Sequence, residues 1–415
     1  MEDFDEQCTQ CGAASPRFGP PRTHLIRRNP DNYDRLNIRV LRWPAKIFER
    51  RLRLTANIQA RCGKLLLAAL LLSLPGVGLA QITEYATPSP FSQPQSITAG
   101  PDGALWFMEV HAKIGRSTVS GSITEYTLPG TLPVACGTAF ANAITTGPDG
   151  ALWFLCAGYV ARMTTAGTVT NSYVLPSLLS GANSIVTGPD GALWFTENIS
   201  GKIGRITTGG SITEYTTGAL GAPIGIVVGP DNALWFTAGS SIARITTAGT
   251  ITNSYATPTA NSSPAAIVTG PDGALWFVEE NSSKVGRMTT SGSFTEYTIP
   301  TANSDPLAIV VGGDGALWFT ELSTSKIGRV TTAGVFTEYG TPTGASQPFG
   351  IAAGADGNLW FTEFAASQIA RATPPVTTPP TGPAPTPLPP SVTLALIGLV
   401  GLTLLELSRR RRSAA

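Results

Sequence analysis

Carboxylates recur in this chain at fixed intervals, in positions where they could act as general acids or bases or as ligands to a cation. A Glu stands three residues after a Trp as Glu109, Glu197, Glu279, Glu321 and Glu363, and Cys156 and Ala238 take its place in two further copies of the same stretch. An Asp stands four residues before each of these Trp, as Asp102, Asp149, Asp190, Asp231, Asp272, Asp314 and Asp356. An Arg follows each of them, as Arg116, Arg162, Arg205, Arg244, Arg287, Arg329 and Arg371. A side chain needed in every copy cannot mark one active site, so the Asp and Arg read as structural partners. The Glu is more informative. Four of the five have a Lys four or five residues later (Lys113, Lys202, Lys284, Lys326), which suggests an exposed ion pair worth about 0–1 kcal/mol. Glu363 faces Gln368 instead and is the carboxylate least accounted for by pairing. Glu363 and Glu321 are therefore the candidate catalytic carboxylates, and Glu109 is a candidate binding residue.

His111 is the one imidazole between residues 81 and 373. It is a candidate binding residue, although a lone His on a loop is more often solvated surface. Cys136 and Cys156 are the only thiols of the same region. They fall on one rim of one repeat, where an oxidising compartment would permit a disulfide and free packing thiols are the alternative. Cys8 and Cys11 have the spacing of a zinc pair but lack a second pair, so no metal site is assigned to them.

The elements that must position these groups come from a repeat. The string Gly-Pro-Asp-Gly-Ala-Leu-Trp-Phe, or a near copy, places Trp at 106, 153, 194, 235, 276, 318 and 360. Each copy continues with a Lys-Ile-Gly-Arg-like run, a Gly-containing turn and an Ile-Thr-Glu-Tyr-like run. These are short β-branched or aromatic stretches between turn residues. With the apolar run before each Asp-Gly turn, that makes four strands in about 42 residues, the period of a propeller blade. The fold class is all-β: a seven-bladed β-propeller with four antiparallel strands per blade. The Asp-Gly turn needs a positive φ, which Gly accepts freely, and Asn232 is the next-best residue where it replaces Gly. The last copy lacks its own Ile-Thr-Glu-Tyr. That segment lies at 82–85, so the N-terminal strand is expected to complete the last blade and close the ring.

The charges divide unevenly along the 415 residues. Residues 1–64 carry 13 Lys/Arg against 7 Asp/Glu, whereas 65–405 carry 11 against 19. An acidic repeat region whose basic residues all belong to the repeat is a poor phosphate binder, so no nucleic-acid partner is expected. Residues 61–80 read as a signal peptide, a basic start and a short apolar core followed by small residues up to Ala80. The preceding 1–60 read as an over-extended start. Residues 374–390 are a Pro-rich linker, and 391–412 an apolar span with an Arg tail at the short limit for crossing a bilayer. The expectation is an extracytoplasmic monomer, periplasmic or at the cell surface, held at a membrane by its C-terminal segment.

Two resemblances follow from quoted residues. Leu193-Trp194-Phe195-Thr196-Glu197, Lys202-Ile203-Gly204-Arg205-Ile206-Thr207 and Ile212-Thr213-Glu214-Tyr215 resemble the repeat of the virginiamycin B lyase (streptogramin lyase) family along the whole propeller. That resemblance implies a seven-bladed propeller that opens a cyclic depsipeptide ester by Mg²⁺-assisted elimination, with His and Glu side chains in the channel mouth. It puts the two His at Leu307 and Phe349 and the last-blade Glu at Phe364. Phe349 is on that ground a candidate binding residue. The tail, with Leu388-Pro389-Pro390-Ser391 before its apolar run, resembles PEP-CTERM sorting signals.

The expected function is a binding or surface module for a small molecule or surface polymer. The alternative is a carbon-oxygen lyase or metal-dependent esterase/lactonase acting on a cyclic ester. With the Arg tail inside the cell, protease added to intact spheroplasts should release the propeller; complete protection would reverse the topology.

Overall fold

A computed structural model describes residues 80–130, 143–156, 158–177 and 180–375. The expected leader, signal segment, linker and apolar tail lie outside the described residues, as does Cys136. Among the described residues, no helix is long and apolar enough to cross a membrane.

The strands form seven four-stranded antiparallel sheets, six of them in simple chain order. The seventh runs Pro348–Ala353, Leu359–Glu363, Gln368–Thr373 and then Gln81–Ala86, the N-terminal strand pairing with the last one in register from Gln81↔Thr373 to Ala86↔Gln368. The expected closure is what the structure shows. Blades are numbered one to seven from the sheet that begins at Pro94.

The second strand of every blade is buried along its whole length, as in Leu193–Glu197. Both faces of a blade pack on neighbours, which is why Leu-Trp-Phe runs do not alternate in polarity. All seven Trp are 0% exposed. Trp106 and Met108 of blade one lie in one apolar cluster with Leu152 and Phe154 of blade two. On the other face, Leu105 and Phe107 join Trp360 and Ile369 of blade seven.

A buried indole N–H needs an acceptor. The turn Asp supplies it: Trp106 Nε1 donates to Asp102 Oδ1 at 3.0 Å and the backbone N of Ala104 to the same oxygen at 3.3 Å, while Arg116 Nε donates to Oδ2 at 2.7 Å. The pattern repeats in blades one to six, with Arg–Asp separations of 2.6–2.7 Å. Burial alone would raise these Asp carboxyls, but the indole, guanidinium and amide donors outweigh it and lower them. Blade seven departs. Asn358, where other blades have Ala, donates to Asp356 Oδ2 at 2.8 Å. Arg371 turns instead to the Val119 carbonyl of blade one at 3.3 Å.

Asn232 has φ 57°, in line with its place in a Gly position. The N-terminal strand is tied by more than its ladder. Tyr85 stacks on Trp360 with ring centroids 5.5 Å apart, and Glu84 accepts the Thr343 backbone N at 2.7 Å and its hydroxyl at 2.8 Å. Deleting residues 81–86 should therefore lower stability by at least about 3 kcal/mol, from the lost Ile82 and Tyr85 burial alone. Deleting residues 1–60 should leave the thermal melt nearly unchanged, and melting the two variants side by side checks both.

Candidate functional site

The innermost strand of a blade carries an irregularity that builds the centre of the molecule. Pairing of the first and second strands skips between Ala182 and Ile185 in blade three, and likewise in blades one, four, five, six and seven. Such bulges leave two residues off the ladder and re-aim them. In the second strand of blades three, four, six and seven a Thr hydroxyl satisfies what the bulge frees, whereas blades one and five have Met108 and Val278 there. Thr320 Oγ1 accepts the Ala308 N–H at 3.1 Å and donates to the Phe349 carbonyl of the next blade at 3.0 Å. Thr196, Thr237 and Thr362 make the same bridge, the last one from Gly350 N to the Gln95 carbonyl across the ring closure. Gly350 lies so close to the Gln95–Ile97 backbone that a Cβ would press into it.

The bulge residues, among them Ser184, Gly225, Ala266, Leu307 and Phe349, line an axial cavity of about 580 Å³. Asn198, Ile199, Glu280 and Leu322, from turns between second and third strands, form its rim on the side opposite the Asp turns. Its surface is mainly apolar, and Ile199 is 75% exposed there. Phe349, which lines the cavity, has the Phe364 ring beside it, centroids 6.0 Å apart.

Glu280 is the one ionisable residue of the lining. Burial pushes its carboxyl up, and the charge of Asp305 pushes the same way, tempered by the Ser263 hydroxyl. Asp305 Oδ2 accepts the Ser323 hydroxyl at 3.0 Å. Glu280 is not a residue that the repeat singles out, because it does not recur. Non-recurrence is the signal that could have found it: only blade five puts a charge directly after the repeating Glu, where others have Val110, Asn198, Leu322 or Phe364.

The repeating Glu are elsewhere. Glu109, Glu197, Glu279, Glu321 and Glu363 are 0% exposed, in the blade interior and not in the cavity lining. The expected Glu–Lys pairing is corrected. Each Lys binds the Glu of the fourth strand: Lys113 to Glu125 at 2.8 Å, Lys202 to Glu214 at 2.6 Å, Lys284 to Glu296 at 2.7 Å and Lys326 to Glu338 at 3.2 Å. The outer Glu wins because the connection entering the blade also serves it. Ser177 N and Oγ, for example, donate to Glu214 at 3.0 and 2.8 Å. Burial acts to raise these outer carboxyls, but the Lys and Ser/Thr donors outweigh it and lower them. Blades two and four lack the whole set, with Cys156, Tyr159 and Ser172 in one and Ala238, Ser241 and Ser254 in the other.

The inner Glu are left without a cation. Ser200, Ser282 and Thr324, each three residues on, donate to one oxygen of Glu197, Glu279 and Glu321 at 2.9, 2.7 and 3.0 Å. Glu109 and Glu363 have Ala112 and Ala366 at that position, and neither oxygen of either carboxyl has a full hydrogen bond, only the weaker pull of the Ser92 and Ser346 hydroxyls. Burial raises all five: Glu109 to about 8 and Glu197, Glu321 and Glu363 to about 7, with Glu279 moved the same way. The structure does not bring Glu321 and Glu363 to the cavity.

His111 is exposed on its turn with φ 72° and is outside the cavity lining. Cys156 is buried and disulfide-bonded. Among the described residues no three His, Cys, Asp or Glu are grouped to hold a metal ion. A magnesium site needs several oxygen ligands in near-octahedral array, and one lining carboxylate with Asp305 behind it does not supply them. The residues present do not fit the ion that the resemblance implies.

The chain matches the model of the virginiamycin B lyase family over residues 78–219 and 131–380. It is similar to a solved streptogramin B lyase, 36% identical with a TM-score of 0.66, over 71% of this chain and 97% of that one. Virginiamycin B lyase from Staphylococcus aureus is 38% identical with a TM-score of 0.65, covering 71% and 99%. A catalytically inactive His-to-Ala variant of that enzyme is known with quinupristin. A curated virginiamycin B lyase of Saccharopolyspora erythraea is 47% identical over 49 residues, so the matched stretch spans only 16% of that relative.

The buried Glu make stability pH-dependent. Unfolded, Glu109, Glu197, Glu321 and Glu363 ionise near 4.5; folded, near 7 to 8, so between those values the native state holds more protons than the unfolded one. Their contribution is fully present below about pH 4.5 and is lost as pH rises through 7 to 8. Glu363→Gln should stabilise the propeller by on the order of 1–3 kcal/mol at pH 8 and change little at pH 5, as read by denaturant unfolding at the two pH values.

Proposed function

The chain belongs to the virginiamycin B lyase family, and from that membership we propose that it is a ligand-binding propeller that receives an apolar, peptide-like ring at the mouth of its axial cavity and holds it unopened. The observation that carries this reading is the Phe349–Phe364 pair. It occupies two of the positions where the family resemblance puts a proton-transferring His and a Glu, and Leu307 occupies the other His position. Neither Leu nor Phe takes a proton, and a correctly placed base contributes about 10² to 10⁴ in rate. An aromatic and aliphatic wall instead offers contact area to an apolar ligand, in a cavity of the size used for small molecules.

The setting proposed for this binding is outside the cytoplasm, with the C-terminal apolar run as anchor. The bonded Cys156 supports an oxidising compartment, because disulfides persist there. A carbon-oxygen lyase remains the second reading, favoured by Glu280 as an ionisable group in the cavity. Quinupristin, the compound paired with the Staphylococcus aureus variant, is the natural ligand to try.

Incubation of the full chain with virginiamycin B and Mg²⁺, beside an active lyase, separates the two readings by mass spectrometry of the product. The binding reading expects linear product to form at least about 10²-fold more slowly than with the lyase. Comparable turnover would overturn it.

A further inference from the structure

The rim of the cavity holds a carboxyl group that no basic side chain of the described residues pairs with. Among the described residues Glu280 is the only ionisable group of the lining, and the charge that acts on it is another carboxylate, Asp305. The cations of the propeller are committed elsewhere. The four Lys sit on fourth-strand Glu, and six Arg sit on the turn Asp of the opposite rim. The seventh, Arg371, contacts the Val119 carbonyl. Four of the seven guanidiniums also lie over Trp rings, 5.8–5.9 Å from the centroids, which holds them further in place.

Blades five and seven flank blade six, so the charge and the aromatic pair stand on either side of Leu307 and Leu322. A ligand lying across blade six would touch all three. One end would meet a carboxylate with no internal counter-charge, the middle two Leu side chains, and the other end Phe349, backed by the Phe364 ring. The geometry points to a ligand that is an amphipathic cation, with an amine or guanidinium seated at Glu280 and an aromatic or aliphatic body packed on Leu307, Leu322 and Phe349. This rests on the cavity mouth being a binding site and adds the ligand's charge to that reading. Asp305 is a positioning residue in this scheme: held by Ser323, it keeps negative potential at the rim and increases the attraction for a cation without having to touch it. The same arrangement repels anionic ligands, so acidic peptides and phosphorylated molecules are excluded from the mouth.

The test uses the full chain at pH 8 and low salt with three dansyl fluorophores that share one aromatic body. Dansylcadaverine carries a free amine, its N-acetyl derivative is neutral, and dansylglycine is an anion. The expected result is that the amine binds about tenfold or more tightly than the neutral analogue, and the anion most weakly, as a charge-assisted hydrogen bond in a partly desolvated rim implies. Glu280→Gln should bring the amine to the level of the neutral compound. Asp305→Asn should reduce the preference partway, and Phe349→Ala should weaken amine and neutral compound alike. Glu125→Gln, remote from the mouth, should leave the preference intact. Equal binding of amine and neutral analogue, or a preference that survives Glu280→Gln, would overturn the cation assignment while leaving the mouth as a binding site. If Phe349→Ala changed the binding of none of the three, the site itself would be misplaced and both readings would fall.

Discussion

A large indole buried between two blades must have its N–H satisfied, and everything regular about this propeller is arranged around that requirement. The turn Asp is the acceptor, and because it sits four residues before its Trp, the tight turn and the buried strand are fixed together. Once the carboxylate is held there, the Arg of the third strand closes over it, and the Tyr of the fourth strand stacks on the ring with centroids 5.4–6.3 Å apart. Four strands are thus locked by one polar node. Six blades use the node unchanged, and the seventh shows what it tolerates: one Asn at 358 fills the acceptor, and the displaced Arg371 is spent on the joint to blade one.

The opposite rim follows a different rule, because there the residues facing the cavity come from bulges. A bulge frees backbone groups, and the Thr hydroxyl that bridges one blade's bulge to the next blade's carbonyl settles both partners at once. In blades three, four, six and seven the cavity wall is therefore backbone held in register by hydroxyls, with its side chains free to vary. Phe349, Leu307 and Glu280 could change without loss of the ring, which is how a family scaffold can keep its architecture and alter what its centre does.

Much of this was legible in the sequence. Blade number, strand count, ring closure through residues 82–85 and the Asp–Arg partnership all follow from a repeat whose variations are few. Asn232 in a left-handed turn position was equally readable, since few other residues suit that conformation. The fate of the Lys was not. Lys202 lies directly across from Glu197 on the neighbouring strand, yet it binds Glu214 one strand further out, where a Ser from the entering connection adds two donors. Cross-strand order cannot reveal that third contributor. The bulges were hidden as well, because first strands such as Ala182–Thr187 and Pro94–Ala99 mix small, polar and apolar residues, and two residues off the ladder leave no mark in that pattern. Glu280 was obscured by the very repetition that exposed the fold, standing beside a Glu that recurs and drew the attention.

The central claim is that the mouth between blades five and seven is a place where a ligand rests unchanged. A crystal structure of the full chain soaked with quinupristin tests it most directly. The account predicts an intact macrocycle seated over Leu307 and against the Phe349–Phe364 pair. An opened ring at that place, or an intact one bound elsewhere with the mouth empty, would contradict it.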